Sequence, residues 1–223
     1  MVKDKLIKLK MNTAPGINLV GSRMLSEISE EISDVVAELY NKSLTTGDVP
    51  QDWRLANVTA VYKKKEKKTS PSNYRPISLT INLCKVFESI VRDKMIEHIE
   101  KFKLIANTQH GFVRNKSCLT NLLVFMEEVT NYIDSGYNAD VISLYLDFQK
   151  AFDKVPHKRL ATKLAAHGIG DELLRWIVNW LSDRRQRAVL NGQCSAWRDI
   201  LSGVPQESVL GPLLFVIYNK KLS

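Results

Sequence analysis

The chain has 223 residues, a mass of 25.4 kDa, 44% hydrophobic and 25% charged residues, so it is long enough to bury about 70% of its unfolded surface and too apolar to be disordered. Thirty-two Lys+Arg against 24 Asp+Glu leave +8, a balance that suits a polyanionic partner, nucleic acid before membrane. The longest apolar run, 209–218, is half of what a membrane span needs and holds Gly211 and Pro212, no signal-peptide pattern opens the chain, and Cys84, Cys118 and Cys194 form no CxxC pair. A membrane partner, a disulfide scaffold and structural zinc are therefore not expected.

Residues 1–16, lysine-rich and ending in Ala-Pro-Gly, read as a flexible lead-in. From Met24 the apolar positions Leu25, Ile28, Ile32, Val35, Val36 and Leu39 follow helical spacing toward Gly47. Residues 55–62 read as a strand running into Lys63, Lys64, Lys65, Lys67 and Lys68, which surround a lone Glu66; Ser-Pro-Ser at 70–72 makes a turn. Residues 83–102 carry a long amphipathic pattern, and a second helix starts at Ser117, a natural N-cap, and stops at Gly136.

Residues 141–146 have the composition of a buried strand and deliver Asp147 at its end. Pro156 opens a helix that stops at Gly168, and 173–181 form the next. Asn191-Gly192 joins strands 186–190 and 194–200 as a hairpin, and a Gly-Val-Pro-Gln loop at 203–206 leads to a buried helix over 209–218. The basic residues Arg184, Arg185 and Arg187 form a second charged cluster, which also suits a helix C-terminus, where cations favour the dipole. The mixture of helices and strands is α/β or α+β, and patterning alone does not choose the topology.

For chemistry, Asp147 stands out. A carboxylate at the mouth of an apolar strand can hold a hard cation such as Mg²⁺, though such an acid can equally cap the turn that leaves the strand. Asp153 reads as a structural acid within reach of Lys150 or Lys154. The four histidines show no HxxxH spacing, and no GxxxxGK[ST], GxSxG or GxGxxG occurs, which argues against zinc hydrolase, kinase and dinucleotide chemistry.

The order of four segments carries more. Asn73-Tyr74-Arg75-Pro76-Ile77-Ser78-Leu79, His110-Gly111-Phe112, Leu146-Asp147-Phe148-Gln149-Lys150-Ala151-Phe152-Asp153, and Gly203-Val204-Pro205-Gln206 with Ser208-Val209-Leu210-Gly211-Pro212 resemble the reverse transcriptase of LINE-type (non-LTR, jockey-like) retrotransposons over nearly the whole chain. The resemblance implies an α+β right-hand polymerase: a lead-in and helix at 1–47, a fingers-like region at 48–136 and a partial palm at 137–223, without a thumb. It also implies Mg²⁺, deoxynucleoside triphosphates, an RNA template and a DNA primer as partners, and work in the nucleus.

By position, Asp147 resembles the first metal-binding aspartate of the palm, with the Phe148 carbonyl as a backbone ligand. Phe152 matches the bulky residue that crowds the sugar 2′ position, although core packing explains a phenylalanine equally well. Arg75 resembles the fingers residue that grips the triphosphate, and a planar guanidinium fork suits that task. Gln206 matches the loop beside the nascent base pair, and Lys63, Lys64, Lys65, Lys67 and Lys68 are candidates for the nucleic-acid backbone.

Two departures stand against full activity. The family writes Gly after the motif glutamine, where this chain has Glu207, which lacks glycine's freedom at φ > 0 and brings an anion near a triphosphate site. The chain also reads to Ser223 without the Ala-Asp-Asp turn that completes a two-metal site in the family. The expectation is fingers and half a palm, inactive alone, with a non-catalytic nucleic-acid-binding remnant as the alternative.

Overall fold

A computed structural model of the chain describes residues 1–11, 13–64, 67–136 and 150–220. Eight α-helices and five strands are described: α1 Val2–Ile7, α2 Ser22–Glu27, α3 Ser29–Thr46, β1 Leu55–Tyr62, β2 Tyr74–Leu79, α4 Asn82–Lys101, α5 Cys118–Asp134, α6 His157–Ala166, α7 Asp171–Leu181, β3 Arg184–Leu190, β4 Gln193–Cys194, β5 Arg198–Ile200 and α8 Gly211–Asn219. The architecture is the expected mixture of helices and sheet.

The lead-in is not loose. Leu6 of α1 is fully buried, Lys5 pairs with Asp93 of α4, and Ser22 at the start of α2 donates to the Lys10 carbonyl. Val2, Leu6 and Leu9 supply an apolar stripe that the lysine content masks in the sequence, because lysine stems lie along apolar surface while their ammonium groups reach water. The helix expected from Met24 onward breaks at Ile28, and α3 ends at Gly47 in the left-handed conformation, φ +77°.

Behind the sheet lies an aromatic core. Phe87 of α4 stacks on Tyr40 of α3 (4.6 Å between centroids), meets Trp176 of α7 edge-on (4.9 Å) and contacts Trp53 (5.8 Å). The Trp176 indole N–H donates to the Ser43 hydroxyl (3.0 Å), so a fully buried polar edge is satisfied. This core also takes in Leu160 and Leu164 of α6 and Leu210, Leu213 and Leu214 near α8, and so draws on all three segments proposed from the sequence.

The sheet is mixed, in order β2-β1-β3-β4, with β5 also on β3. β1 and β2 form an antiparallel hairpin from Asn57↔Leu79 to Tyr62↔Tyr74, so 74–79 is a strand that alternation had not revealed. Asn191 and Gly192 both take positive φ (+49° and +79°), the primed turn that their sequence signals, and β3 pairs antiparallel with β4 and β5. Strand 194–200 is interrupted: β4 ends at Cys194 and β5 begins at Arg198. The strand read at 141–146 lies outside the described residues; on the edge away from β4 and β5, β3 runs parallel to β1, Leu55↔Arg185 to Val58↔Ala188. A strand from the fingers-like region and one from the palm-like region thus share a ladder.

α5 starts as expected, with Ser117 and Thr120 forming a reciprocal capping box. Its apolar side chains, Leu119, Leu122, Leu123, Phe125 and Met126, are exposed among the described residues.

Candidate functional site

Two chain segments about fifty residues apart meet at the end of the sheet. The Gly-Val-Pro-Gln loop is fastened to residues 152–157: the Val204 N–H donates to the Phe152 carbonyl (2.9 Å), the Gly203 N–H to the Val155 carbonyl (2.9 Å) and the Ser202 hydroxyl to the Asp153 carbonyl (2.9 Å). His157 bonds the Gly203 carbonyl through Nε2 (2.8 Å), and the Gln206 amide donates to Asp153 Oδ1 (2.8 Å). Gly203 makes this contact possible. It has φ +90°, and a Cβ there would stand 2.7 Å from both the Asp153 Cα and the Phe152 carbonyl oxygen.

Asp153 therefore serves Gln206, not Lys150 or Lys154, which corrects the expected pairing. Gln206, Asp153, Pro76 and Ser78 line a cavity of about 250 Å³ together with the buried Arg184 and with Gln186. The motif glutamine and the β2 motif strand thus share one cavity.

Phe152 is half-buried and stacked on Phe215 of α8 (4.6 Å, 18° between planes), and Phe112 of the His-Gly-Phe segment meets it edge-on (6.0 Å, 83°). These ring contacts join two of the four motif segments, and the bonds of the 203–206 loop to Phe152 and Asp153 add a third. Phe112 is 60% exposed with φ +60°, a costly placement for an aromatic residue.

Arg75 is exposed on β2 opposite Val61. Strand side chains alternate, so Arg75 stands on the face opposite Pro76 and Ser78. Asp147 and Phe148 lie outside the described residues, as does Lys65. Among the described residues no three His, Cys, Asp or Glu gather in a way that could hold a metal ion.

The lysine loop closes the β1–β2 hairpin. Lys63 Nζ donates to the Ser72 carbonyl (2.8 Å), the Asn73 amide to Lys67 O (2.9 Å) and the Tyr74 hydroxyl to Lys68 O (2.9 Å). Lys68 also lies over the Tyr62 ring (5.8 Å). Lys63, Lys64, Lys67 and Lys68 are exposed.

Glu88, which patterning passed over, holds the glutamine loop from beneath. It is fully buried on α4; Oε2 accepts the backbone N–H groups of Val209 (2.8 Å) and Leu210 (3.2 Å), and Oε1 accepts the Cys84 thiol (3.4 Å). Burial raises its pKa, opposed by the Leu210 N–H, the Arg184 charge, the Cys84 thiol and the Val209 N–H. A usable signal was present: Glu88 sits in the apolar stripe of α4, four residues after Cys84 and three before Val91.

Arg184 is a correction as well. It is 1% exposed, with its guanidinium over Trp180 (4.9 Å) and bonded to the Trp180 carbonyl (3.1 Å), so it does not join Arg185 and Arg187 at the surface.

Glu207 follows Gln206 in the left-handed region, φ +64°. This is where the family pattern writes glycine, so the backbone keeps the conformation while the side chain no longer suits it. The Glu207 charge reaches Lys85 of α4, whose pKa burial lowers against the opposing charges of Glu88, Cys84 and Glu207.

Comparison with known proteins agrees with this arrangement. The RNA-directed DNA polymerase from mobile element jockey of Drosophila melanogaster is 28% identical to this chain, over 97% of the chain and 23% of the relative. The probable RNA-directed DNA polymerase from transposon X-element of the same fly is 26% identical over 98% and 24%. The retrovirus-related Pol polyprotein from type-1 retrotransposable element R2 of Popillia japonica is 29% identical over 77% and 23%. The chain spans about a quarter of the length of these curated relatives. Residues 62–223 match the model of the reverse transcriptase (RNA-dependent DNA polymerase) family, and with the motif segments joined as described, the chain belongs to that family.

Proposed function

We propose that the chain forms the fingers and the first part of the palm of an RNA-directed DNA polymerase of a non-LTR retrotransposon, which extends a DNA primer on an RNA template with deoxynucleoside triphosphates, in the nucleus where target DNA supplies the primer. The observation that carries this reading is the docking of the Gln206 loop on Phe152 and Asp153, which follow Asp147-Phe148-Gln149 closely in the chain. A loop held there borders the cavity shared with β2, where a base pair can be bounded by fixed groups.

In this reading Gln206, held by Asp153, presents a fixed amide beside the nascent pair. Phe152 is braced by Phe215 and Phe112 and meets the sugar with a ring that cannot swing away. Lys63, Lys64, Lys67 and Lys68 meet the nucleic-acid backbone, and Arg75, on the face of β2 opposite the Gln206 cavity, is not placed at the triphosphate there. Mg²⁺ belongs at Asp147 with the Phe148 carbonyl, where it would neutralise phosphoryl charge and orient the attacking oxygen. Asp153, committed to Gln206, is not proposed as a ligand.

Residues 1–223 contain no Ala-Asp-Asp turn, and Glu207 places a carboxylate beside the loop. We therefore propose that this segment alone binds nucleic acid without synthesis. Template-primed dNTP incorporation in Mg²⁺ tests it: no RNA-dependent extension is expected from residues 1–223, or from their Glu207→Gly variant. Extension abolished by Asp147→Ala would overturn the inactivity and establish the polymerase directly.

A further inference from the structure

Pleating splits the arginine cluster. Arg184 turns inward, and Arg185 and Arg187 stand together on the opposite face of β3, two residues and so about 6.7 Å apart. The ladder extends this face. Asn57 is the register partner of Arg187, and alternation along β1 and β2 adds Thr59, Val61 and Arg75 to the same side. From Arg187 to Arg75 the path crosses two strand spacings, about 9.5 Å, and runs four residues along β1, about 13 Å. Because β1 and β3 are parallel, it climbs toward the end of the sheet that carries the lysine loop.

Arg187 is built differently from a solvated arginine. Its guanidinium lies 4.7 Å from the Trp197 ring centre, and its Nε donates to Asn57 Oδ1 (2.9 Å). Its two terminal amino groups carry no hydrogen bond among the described residues. An arginine fixed by stacking and through Nε has little freedom left to lose and keeps the fork that suits a phosphate. Among the described residues Arg185 is paired with exposed Asp199 (3.3 Å), a contact that a phosphodiester can displace. Successive cations at strand spacing of i, i+2 are comparable in separation to successive phosphates on a nucleic-acid strand.

We propose that this face, Arg185, Arg187 on Trp197, and Arg75, is a second nucleic-acid surface that holds the sugar-phosphate backbone of a single strand. It deepens the polymerase reading: it lies across the sheet from the Gln206 cavity and leads a strand toward the lysine loop. Trp197 and Asn57 act as positioning residues for Arg187.

Fluorescence anisotropy of residues 1–223 with single-stranded RNA, single-stranded DNA and duplex DNA 20-mers across a salt series tests this. The joint Arg185→Gln, Arg187→Gln change should flatten the slope of log K against log salt for single strands by about 1.4. Arg198→Gln removes an exposed charge from the other face and should leave that slope nearly unchanged. Trp197→Leu keeps the net charge, so simple electrostatics predicts no effect; weakening by several-fold is expected because Arg187 loses its support. Arg185→Gln alone changes an exposed residue and keeps the test valid if a Trp197 variant unfolds in a circular-dichroism melt.

Loss for RNA and DNA strands alike supports a backbone contact, and loss for one of them names the strand. Equal effects from Arg198→Gln and from the double variant, loss confined to duplex, or no binding by the parent chain would overturn the proposal. Failure to incorporate dNTPs bears on the polymerase reading alone, since binding is measured without synthesis.

Discussion

Two loops hang from the same sheet and are held in opposite ways. The 202–210 loop is bonded by other elements on both sides: Phe152, Asp153 and His157 above, the buried Glu88 carboxylate below. The described residues of the 63–73 loop bond chiefly to one another and to the ends of the hairpin, through Lys63 to Ser72, Asn73 to Lys67 and Tyr74 to Lys68, with Lys64 and Lys67 exposed. The first resembles a fixed template for shape, the second a charged surface whose exact geometry matters little. A polymerase asks for both, because a base pair must be bounded by rigid groups while a phosphate backbone is held by charge that positions without specifying.

The largest way to break this contrast is to remove Glu88. Glu88→Ala leaves the Val209 and Leu210 N–H groups and the Arg184 charge without their buried acceptor, and unfolding free energy should fall by about 4 kcal/mol in urea titration. Glu88→Gln keeps one acceptor oxygen and should lose far less. The pair also predicts a pH signature. Because burial raises the Glu88 pKa, its contribution is greatest below the unfolded-state value, near 4.3, and is lost as pH rises through the higher folded value. Stability measured against pH should therefore fall more steeply for the parent than for Glu88→Gln over that window. Parallel curves would mean that Glu88 is not the titrating group.

Gly203→Ala attacks the same loop from above. A Cβ 2.7 Å from backbone atoms of Asp153 and Phe152, at φ +90°, should cost on the order of 3 kcal/mol, and hydrogen exchange should speed at Val204. No glycine plays such a part in the lysine loop, where alanine replacements among Thr69, Ser70 and Ser72 should change stability by less than about 0.5 kcal/mol.

Much of this was legible, and the rest was hidden for identifiable reasons. Asn191-Gly192, Ser117, Gly47 and Gly136 announce their structures because turn and cap chemistry is local. Glu207 was legible in a subtler form: a glycine position in the family pattern implies φ > 0, and the chain keeps φ +64° with the wrong residue. The β1–β3 ladder and the fate of Arg184 were not legible, since parallel pairing across more than a hundred residues leaves no local mark and an arginine looks solvated until its strand register is known. Glu88 was hidden by its type, because a buried carboxylate is recognised by donors that come from a different part of the chain. Helix α1 was concealed by its lysines. Asp147, the residue that the sequence marks most strongly for chemistry, lies outside the described residues.

Glu207→Gly sharpens the comparison in the other direction. Relief of a left-handed glutamate, partly offset by the greater freedom of glycine in the unfolded chain, should stabilise by about 1 kcal/mol and raise the melting temperature by about 3 °C. An unchanged or lower melting temperature would mean that attraction between Glu207 and the partly buried Lys85 outweighs the strain, and Lys85→Met in the Glu207→Gly background would then recover stability.

The smallest effect on stability should come with the largest effect on binding. Replacing Lys63, Lys64, Lys65, Lys67 and Lys68 with Gln should leave the urea midpoint within about 0.5 kcal/mol of the parent, because the described hydrogen bonds of that loop run between backbone groups and the side chains of Ser70, Ser72, Asn73 and Tyr74, with Lys63 Nζ and Lys68 over Tyr62 the described lysine side-chain contacts. The same change should flatten the salt slope by several units if the lysines meet phosphate, since each contact contributes about 0.9 on duplex and about 0.7 on single strands. A single Lys→Gln change should weaken binding to unrelated sequences almost equally. An unchanged slope would remove the loop from the binding surface and leave Arg75, Arg185 and Arg187 to carry the charge; a lost fold would mean that the loop, too, is held by more than itself.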